Sequence, residues 1–334
     1  MIRFALIVAS VLGFALTAAL GNLMVPLLKA LNPSKAPMQS GEPWGPLEDG
    51  VPTMGGLCLM VGALAAVGVG WTAACLAQPE LLGSGRLTTR LLLALFGALL
   101  FGAVGAADDL VRLRRRQPLG LRPGTRALLE AGAAAVVLGL LAGCGCLATG
   151  LSVPGVGYLE LGGAAGPLWG LELVALAECA RTAGTADGVA CGTAFAAMLG
   201  LMSVLTILSW FPLAVLPAAL AGALMAFLLW NFPPAKVRLG STGSLFLAGA
   251  VGCIPLCIGW PGLAVPLALP WWLEGGMLLI QVLAVRLKGR GLFRTAPLHR
   301  WLEQKGRSAV GIFYRMSLLA LLGLMLTVKL ARIS

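Results

Sequence analysis

Charge is what this sequence has least of. Only 11% of its 334 residues are Asp, Glu, Lys or Arg, against about a quarter in soluble globular chains. So few charges cannot coat a water-exposed surface, which excludes a soluble enzyme of ordinary composition. The net charge of +11 therefore reads as basic loops beside a membrane and not as nucleic-acid binding. Histidine is nearly missing too: His299 is the only one. Neither His299 nor a second cysteine pair lies near Cys144-x-Cys146, which argues against a zinc site, while a disulfide between those two stays open. Most of the eight cysteines fall in apolar segments, where a free thiol behaves as a small hydrophobe. No repeat of fixed period stands out.

Apolar stretches are what the chain has in plenty, at 59% hydrophobic residues. Segments long enough to cross ~30 Å of hydrocarbon recur throughout, which describes a polytopic membrane protein built as one integral domain over residues 1–334. The start, MIRFALIVASVLGFALTAALGNLMV, has the charge and apolar run of a signal peptide. That run is too long for an h-region, so it is expected to stay as a first span. Ten spans are expected, at about 4–28, 54–77, 91–107, 127–147, 168–180, 192–209, 213–230, 244–260, 263–284 and 309–328. The ninth holds Pro266, Pro270, Gly275 and Gly276, so it should be kinked or broken. The fold class expected is thus an all-α integral membrane protein of about ten transmembrane helices.

The loops set the expected orientation. Those after spans one, three, five, seven and nine carry eighteen of the 24 basic residues, Lys29, Lys35 and Arg181 among them. The opposite side has Arg3, Arg86, Arg90, Lys329 and Arg332, and loops 148–167, 210–212 and 261–262 have no Lys or Arg at all. Such asymmetry places the odd loops in the cytoplasm and both termini outside.

Chemistry-bearing residues gather on that same side. The stretch 108–126 reads DDLVRLRRRQPLGLRPGTR: two adjacent carboxylates, Asp108 and Asp109, followed by Arg112, Arg114, Arg115, Arg116, Arg122 and Arg126. Ionised carboxylates at a membrane boundary are costly unless something cationic or polar meets them, so they mark a functional site; capping a helix end and pairing with neighbouring arginines is the structural alternative. Asp187, Glu48, Asp49, Glu303 and His299 also fall in these loops. Gly240-Ser241-Thr242-Gly243-Ser244, just before the eighth span, offers N–H groups and hydroxyls to a phosphate oxyanion, or else serves as a plain N-cap. Asn231, Lys236 and Arg238 stand beside it in sequence, and Arg290, Arg294, His299 and Arg300 form a second basic stretch.

Taken together, VPTMGG at 51–56, ADDLVRLRRRQPLGLRPGTR at 107–126, ADG at 186–188, NFPPAKVRLGSTGSL at 231–245, EGGMLLIQV at 274–282 and FRTAPLHRWLE at 293–303 resemble the bacterial phospho-N-acetylmuramoyl-pentapeptide transferase family. That family belongs to the polyprenyl-phosphate N-acetylhexosamine 1-phosphate transferases, of glycosyltransferase 4 type. The resemblance runs over nearly the whole chain. It implies ten spans with both termini outside, a multi-pass protein of the bacterial inner membrane, and a cytoplasmic active face. It implies transfer of phospho-MurNAc-pentapeptide from a UDP-linked amino sugar to undecaprenyl phosphate, with Mg²⁺, releasing UMP and forming lipid I in peptidoglycan synthesis. Membrane lipid is an implied partner, dimers are the family's habit, and nucleic acid is not expected.

Carried over by motif, the resemblance gives Asp108, Asp109 and His299 catalytic roles. It gives substrate or nucleotide binding to Thr53, Arg112, Arg126, Asp187, Asn231, Gly243, Ser244 and Gln281, and metal binding to Asp108, Asp109 and Asp187. Arginines beside carboxylates suit a phosphate-on-pyrophosphate exchange, which needs positive charge around its oxygens. The chain also departs from the family inside this set. Ser241 stands at the family's metal-binding Asp, Arg181 and Gly184 at two Asn, and Ala190 at an Asp. The triple histidine reads His299-Arg300-Trp301, the basic pair before the Pro-Thr-Met-Gly-Gly motif reads Glu48-Asp49, and Arg112 and Arg126 replace lysines. A hydroxyl is a poor ligand for a hard cation where a carboxylate is expected. Two readings therefore stay open: a divergent transferase, and a catalytically silent paralogue that binds lipid or a partner. A transporter is disfavoured, because the charges cluster in loops and not at the midplane.

Overall fold

The computed structural model describes residues 2–31, 51–83, 85–115, 120–153 and 157–333. Lys35, Glu48, Asp49 and Arg116 lie outside the described residues. The chain runs as α1 (Ile2–Leu31), α2 (Gly56–Ala77), the short α3 (Glu80–Gly83), α4 (Gly85–Arg115) and α5 (Pro123–Gly143). A hairpin of β1 (Gly150–Val153) and β2 (Gly157–Glu160) follows, then α6 (Ala165–Ala183), α7 (Val189–Ile207), α8 (Val215–Asn231) and α9 (Gly240–Ile258). The chain ends with α10 (Ala264–Leu267), α11 (Leu269–Lys288), α12 (Leu298–Gln304) and α13 (Ala309–Ile333).

The protein is all-α in architecture and multi-pass. Each of the ten expected segments is helical. Among the described residues, eight helices are long and apolar enough to cross a bilayer, and nine if one bent pair forms a single span. The expected span at 168–180 is α6, a 19-residue helix that is not among these and that carries Glu172, Glu178 and Arg181. The bent pair is Pro261–Leu267 with Leu269–Lys288, at 82°. This is the break expected in the ninth span, with Pro266 and Pro270 flanking the corner at Ala268. A proline ring removes a donor and crowds the preceding turn, so the helix changes direction there.

Helix α9 is the axis of the bundle: every residue from Ser241 to Ile258 is buried. Helix α4 lies along it closely enough that a Cβ on Gly105 would come within 2.2 Å of the Ser241 carbonyl oxygen. Small residues permit such backbone approach where lipid gives no hydrophobic drive for helices to associate. Helices α2, α6 and α7 complete the surround, α8 packs on α1, α2 and α7, and α13 packs on α7.

Three expectations are corrected. Asp108 and Asp109 sit within the last two turns of α4, not in a loop beyond it. Gly240–Ser244 is the first turn of α9 and not a turn ahead of it. The segment 148–167, read as plain loop, contains the antiparallel hairpin with Gly150 opposite Glu160. All eight cysteines are free thiols, so Cys144 and Cys146 form no disulfide here.

Candidate active site

The centre of the polar cluster is the junction between the end of α4 and the start of α9. Gly240 opens α9 with φ +75°, a left-handed conformation that glycine adopts without the steric penalty of a Cβ. The turn it makes aims the next two N–H groups at Asp109. Ser241 N–H donates to Asp109 Oδ1 at 3.1 Å, Thr242 N–H to Oδ2 at 2.8 Å, and Thr242 Oγ1 to the same Oδ2 at 2.7 Å. Asp109 thus caps α9 from a different helix. It supplies the negative charge that the positive end of the helix dipole favours.

Asp108 is engaged as fully. Its Oδ2 accepts from Ser241 Oγ at 2.6 Å and its Oδ1 from Leu121 N–H at 2.7 Å. Gly120 packs on this carboxylate so tightly that an added Cβ would lie 2.4 Å from Oδ1. Both aspartates are only 1% exposed. One cation serves the pair: Arg112 places its two terminal nitrogens 3.9 Å from Asp108 and from Asp109, with about a third of its side chain exposed.

The remaining expected residues fall into three neighbouring groups. In the first, Asp187 Oδ2 accepts from Ala235 N–H at 3.1 Å and its Oδ1 lies 3.5 Å from Arg238 Nε. Arg238 in turn ties in the segment before α2: its N–H donates to Pro52, and its carbonyl accepts from Gly55. Thr53 sits within that pairing, partly buried. Asn231, the last residue of α8, donates from Nδ2 to the Val237 carbonyl and so closes the same connection.

In the second group, His299 Nδ1 faces Glu274 Oε2 at 2.9 Å and its backbone N–H donates to Glu274 Oε1 at 3.1 Å. A carboxylate oxygen only accepts, so Nδ1 carries hydrogen in this contact. The far nitrogen, Nε2, lies 3.3 Å from Thr185 Oγ1. Gln281 holds the loop that leads to His299: its Nε2 donates to the Phe293 carbonyl at 2.9 Å, and Phe293 N–H donates to its Oε1 at 2.8 Å. With both ends of its amide spent on backbone, Gln281 positions this loop.

In the third group, Arg126 is buried and its Nε donates to Glu178 Oε1 at 2.7 Å, with Glu130 Oε1 at 3.7 Å. Arg181 holds the other Glu178 oxygen at 2.7 Å. Arg126 is therefore committed to α6 and does not face an open site.

These groups are contiguous. Ser244, in the first turn of α9, is buried against Gly184, where an added Cβ would meet Ser244 Oγ at 2.1 Å. Gly184 precedes Thr185, the neighbour of His299. Gly243 packs on Gly56 at the start of α2. Ala190 is buried in the first turn of α7. Exposed Arg114, Arg115, Arg122, Arg290 and Arg294 flank the cluster in sequence.

Three residues of the cluster, Glu274, Glu178 and Glu130, were not expected as members. Their signal was visible in the sequence: Glu274 is the only charged residue between 264 and 285, and a lone acid in an apolar helix marks an interior polar contact.

A divalent cation is tested against these atoms. Mg²⁺ asks for near-octahedral oxygen ligands at ~2.0–2.1 Å and usually keeps several waters. Here all four oxygens of the aspartate pair already face N–H or O–H hydrogens. Asp187 faces Ala235 and Arg238 instead. Among the described residues, no three His, Cys, Asp or Glu side chains converge to hold a metal. The residues present do not fit Mg²⁺.

The glycosyl transferase family 4 model matches residues 91–259, from the second turn of α4 to the end of α9. Among curated relatives, the protein named phospho-N-acetylmuramoyl-pentapeptide-transferase from Geobacillus kaustophilus (strain HTA426) is 29% identical over 93% of this chain and 96% of its own length. Its namesake from Clostridium kluyveri (strain ATCC 8527) is 27% identical over 91% and 92% respectively. That from Levilactobacillus brevis (strain ATCC 367) is 29% identical over 89% of each.

Proposed function

Because the chain belongs to glycosyl transferase family 4, we propose that it transfers a phospho-amino-sugar from UDP to undecaprenyl phosphate in peptidoglycan synthesis, the sugar being phospho-MurNAc-pentapeptide or a close relative. A phosphate oxygen of the lipid attacks the phosphorus that bears the sugar. A new P–O–P link forms, the bond to the uridine-bearing phosphate breaks, and UMP leaves. With phospho-MurNAc-pentapeptide the product is lipid I.

One observation carries this reading: the polar cluster is continuous from Asp108 through Ser241, Ser244, Gly184 and Thr185 to His299, at the ends of the helices that lead into the most basic loops. Phosphoryl exchange between two anions is governed by positioning and by positive charge around the phosphates. Arg112, held by two buried aspartates and still partly exposed, is a guanidinium placed to meet a phosphate. The exposed arginines near it gather the anionic substrates. His299, oriented by Glu274, directs Nε2 toward the Thr185 side of the cluster. The lysine and arginine asymmetry of the loops supports a cytoplasmic active face at the inner membrane, with both termini outside.

Purified protein in liposomes containing undecaprenyl phosphate should release UMP from UDP-MurNAc-pentapeptide. Arg112→Gln should cut that release at least ~10-fold, the size expected for a lost charge-assisted contact of about 1.5–3 kcal/mol, without changing the fold. A different observation favours the second reading, the silent paralogue: every carboxylate oxygen of Asp108 and Asp109 is bound by the protein itself. Absence of UMP from any UDP-amino-sugar, with undecaprenyl phosphate still bound, would establish it.

A further inference from the structure

We infer that the Ser241 hydroxyl takes the place of a divalent cation in this chain, so that the aspartate pair is closed by protein donors and does not bind Mg²⁺. The inference concerns ion binding alone and holds for a working transferase and for a silent one.

The atoms argue it in two steps. A cation bound between Asp108 and the start of α9 would have to approach Asp108 Oδ2, where the Ser241 hydroxyl already donates at 2.6 Å. It would also have to approach Asp109 oxygens that three donors of Ser241 and Thr242 already face. Those hydrogens present their positive ends to the same lone pairs a metal would use. The two N–H groups belong to the backbone of α9 and cannot rotate away. With both carboxylates 1% exposed, the retained water shell of a Mg²⁺ ion has no room.

The charge is also met without a metal. Two carboxylates face Arg112 on one side. On the other they face the N-terminus of a 19-residue helix, whose dipole acts as roughly half a positive charge. A carboxylate at position 241 would reverse this balance. It would place a third negative group within hydrogen-bond reach of Asp108 Oδ2, with no proton donor left between them, and a divalent cation would then relieve the repulsion.

Thermal unfolding of the detergent-solubilised full chain tests this, comparing EDTA with 10 mM MgCl₂ and following Mn²⁺ by electron paramagnetic resonance as a direct probe. The wild-type midpoint should agree within about 1 °C in the two conditions, with no site-bound Mn²⁺. Ser241→Asp should unfold several degrees lower in EDTA, recover in Mg²⁺ and bind one Mn²⁺. Ser241→Ala, which removes the hydroxyl without adding charge, should unfold lower than wild type and gain nothing from Mg²⁺; it keeps the test decisive if the aspartate variant does not fold. One Mn²⁺ bound by the wild type and lost in Asp108→Asn, or a saturable Mg²⁺ shift of the wild-type midpoint lost in that variant, would overturn the inference. None of these readouts depends on UMP release.

Discussion

Replacing Asp109 by alanine removes the acceptor for three donors at the start of α9: the N–H groups of Ser241 and Thr242 and the Thr242 hydroxyl. The hydroxyl can rotate toward another acceptor, but the two N–H groups point into a buried junction and keep nothing. A buried donor left unsatisfied costs ~1–3 kcal/mol, which gives about 2–6 kcal/mol for the two. Loss of the negative charge from the helix N-terminus adds ~0.3–1 kcal/mol. With about 2.1 cal/mol/K of unfolding entropy per residue, a chain of 334 residues loses about 1.4 °C of midpoint for each kcal/mol. A central value of about 4.5 kcal/mol then lowers the midpoint by ~6 °C. Asp109→Asn keeps one carbonyl acceptor but turns an NH₂ toward a donor, so its loss should fall between those of Asp109→Ala and Thr242→Ala. The nine tryptophans give an intrinsic fluorescence signal for the thermal transition in detergent. An Asp109→Ala midpoint within about 1 °C of wild type, or a smaller loss than for Thr242→Ala, would refute the capping role assigned to Asp109.

Two further outcomes follow from the same contacts. Arg126→Ala removes the cation beside the fully buried Glu130 and leaves Glu178 with Arg181 alone. Breaking one partner of a buried pair costs ~3–5 kcal/mol, so the thermal midpoint should fall more than for any exposed arginine; Arg126→Lys should restore only part of it, because an ammonium lacks the planar fork. Gln281→Ala frees both backbone groups of Phe293. Limited proteolysis should then cut within 289–297 faster than in wild type, with little change elsewhere, and unchanged cleavage would remove Gln281 from its positioning role.

The spans were legible because a bilayer fixes the length and polarity of anything that crosses it. Where helices run past the hydrocarbon, composition no longer marks their ends. Asp109 was visible as an acid at the close of an apolar run, but not as a residue inside α4. Gly240–Ser244 read as a free anion-binding turn because its N–H groups have no partner within the local sequence. Their partner is Asp109, more than 130 residues earlier, and no local pattern encodes that pairing. The same distance hid the fate of Arg126, which a charge count offers to a phosphate and the fold gives to Glu178. The hairpin β1–β2 escaped notice because two four-residue strands are too short to show a period. Glu274 could have been found: it is a solitary acid in an apolar helix, facing the chain's one histidine.

The most direct measurement is UMP release from UDP-MurNAc-pentapeptide by the purified protein in undecaprenyl-phosphate liposomes, run in excess EDTA and again in Mg²⁺. The account predicts release in both conditions at similar rates, since arginines and the α9 terminus, not a metal, balance the charge. Failure to release UMP in either would contradict the transferase, and release confined to Mg²⁺ would contradict the metal-free aspartate pair.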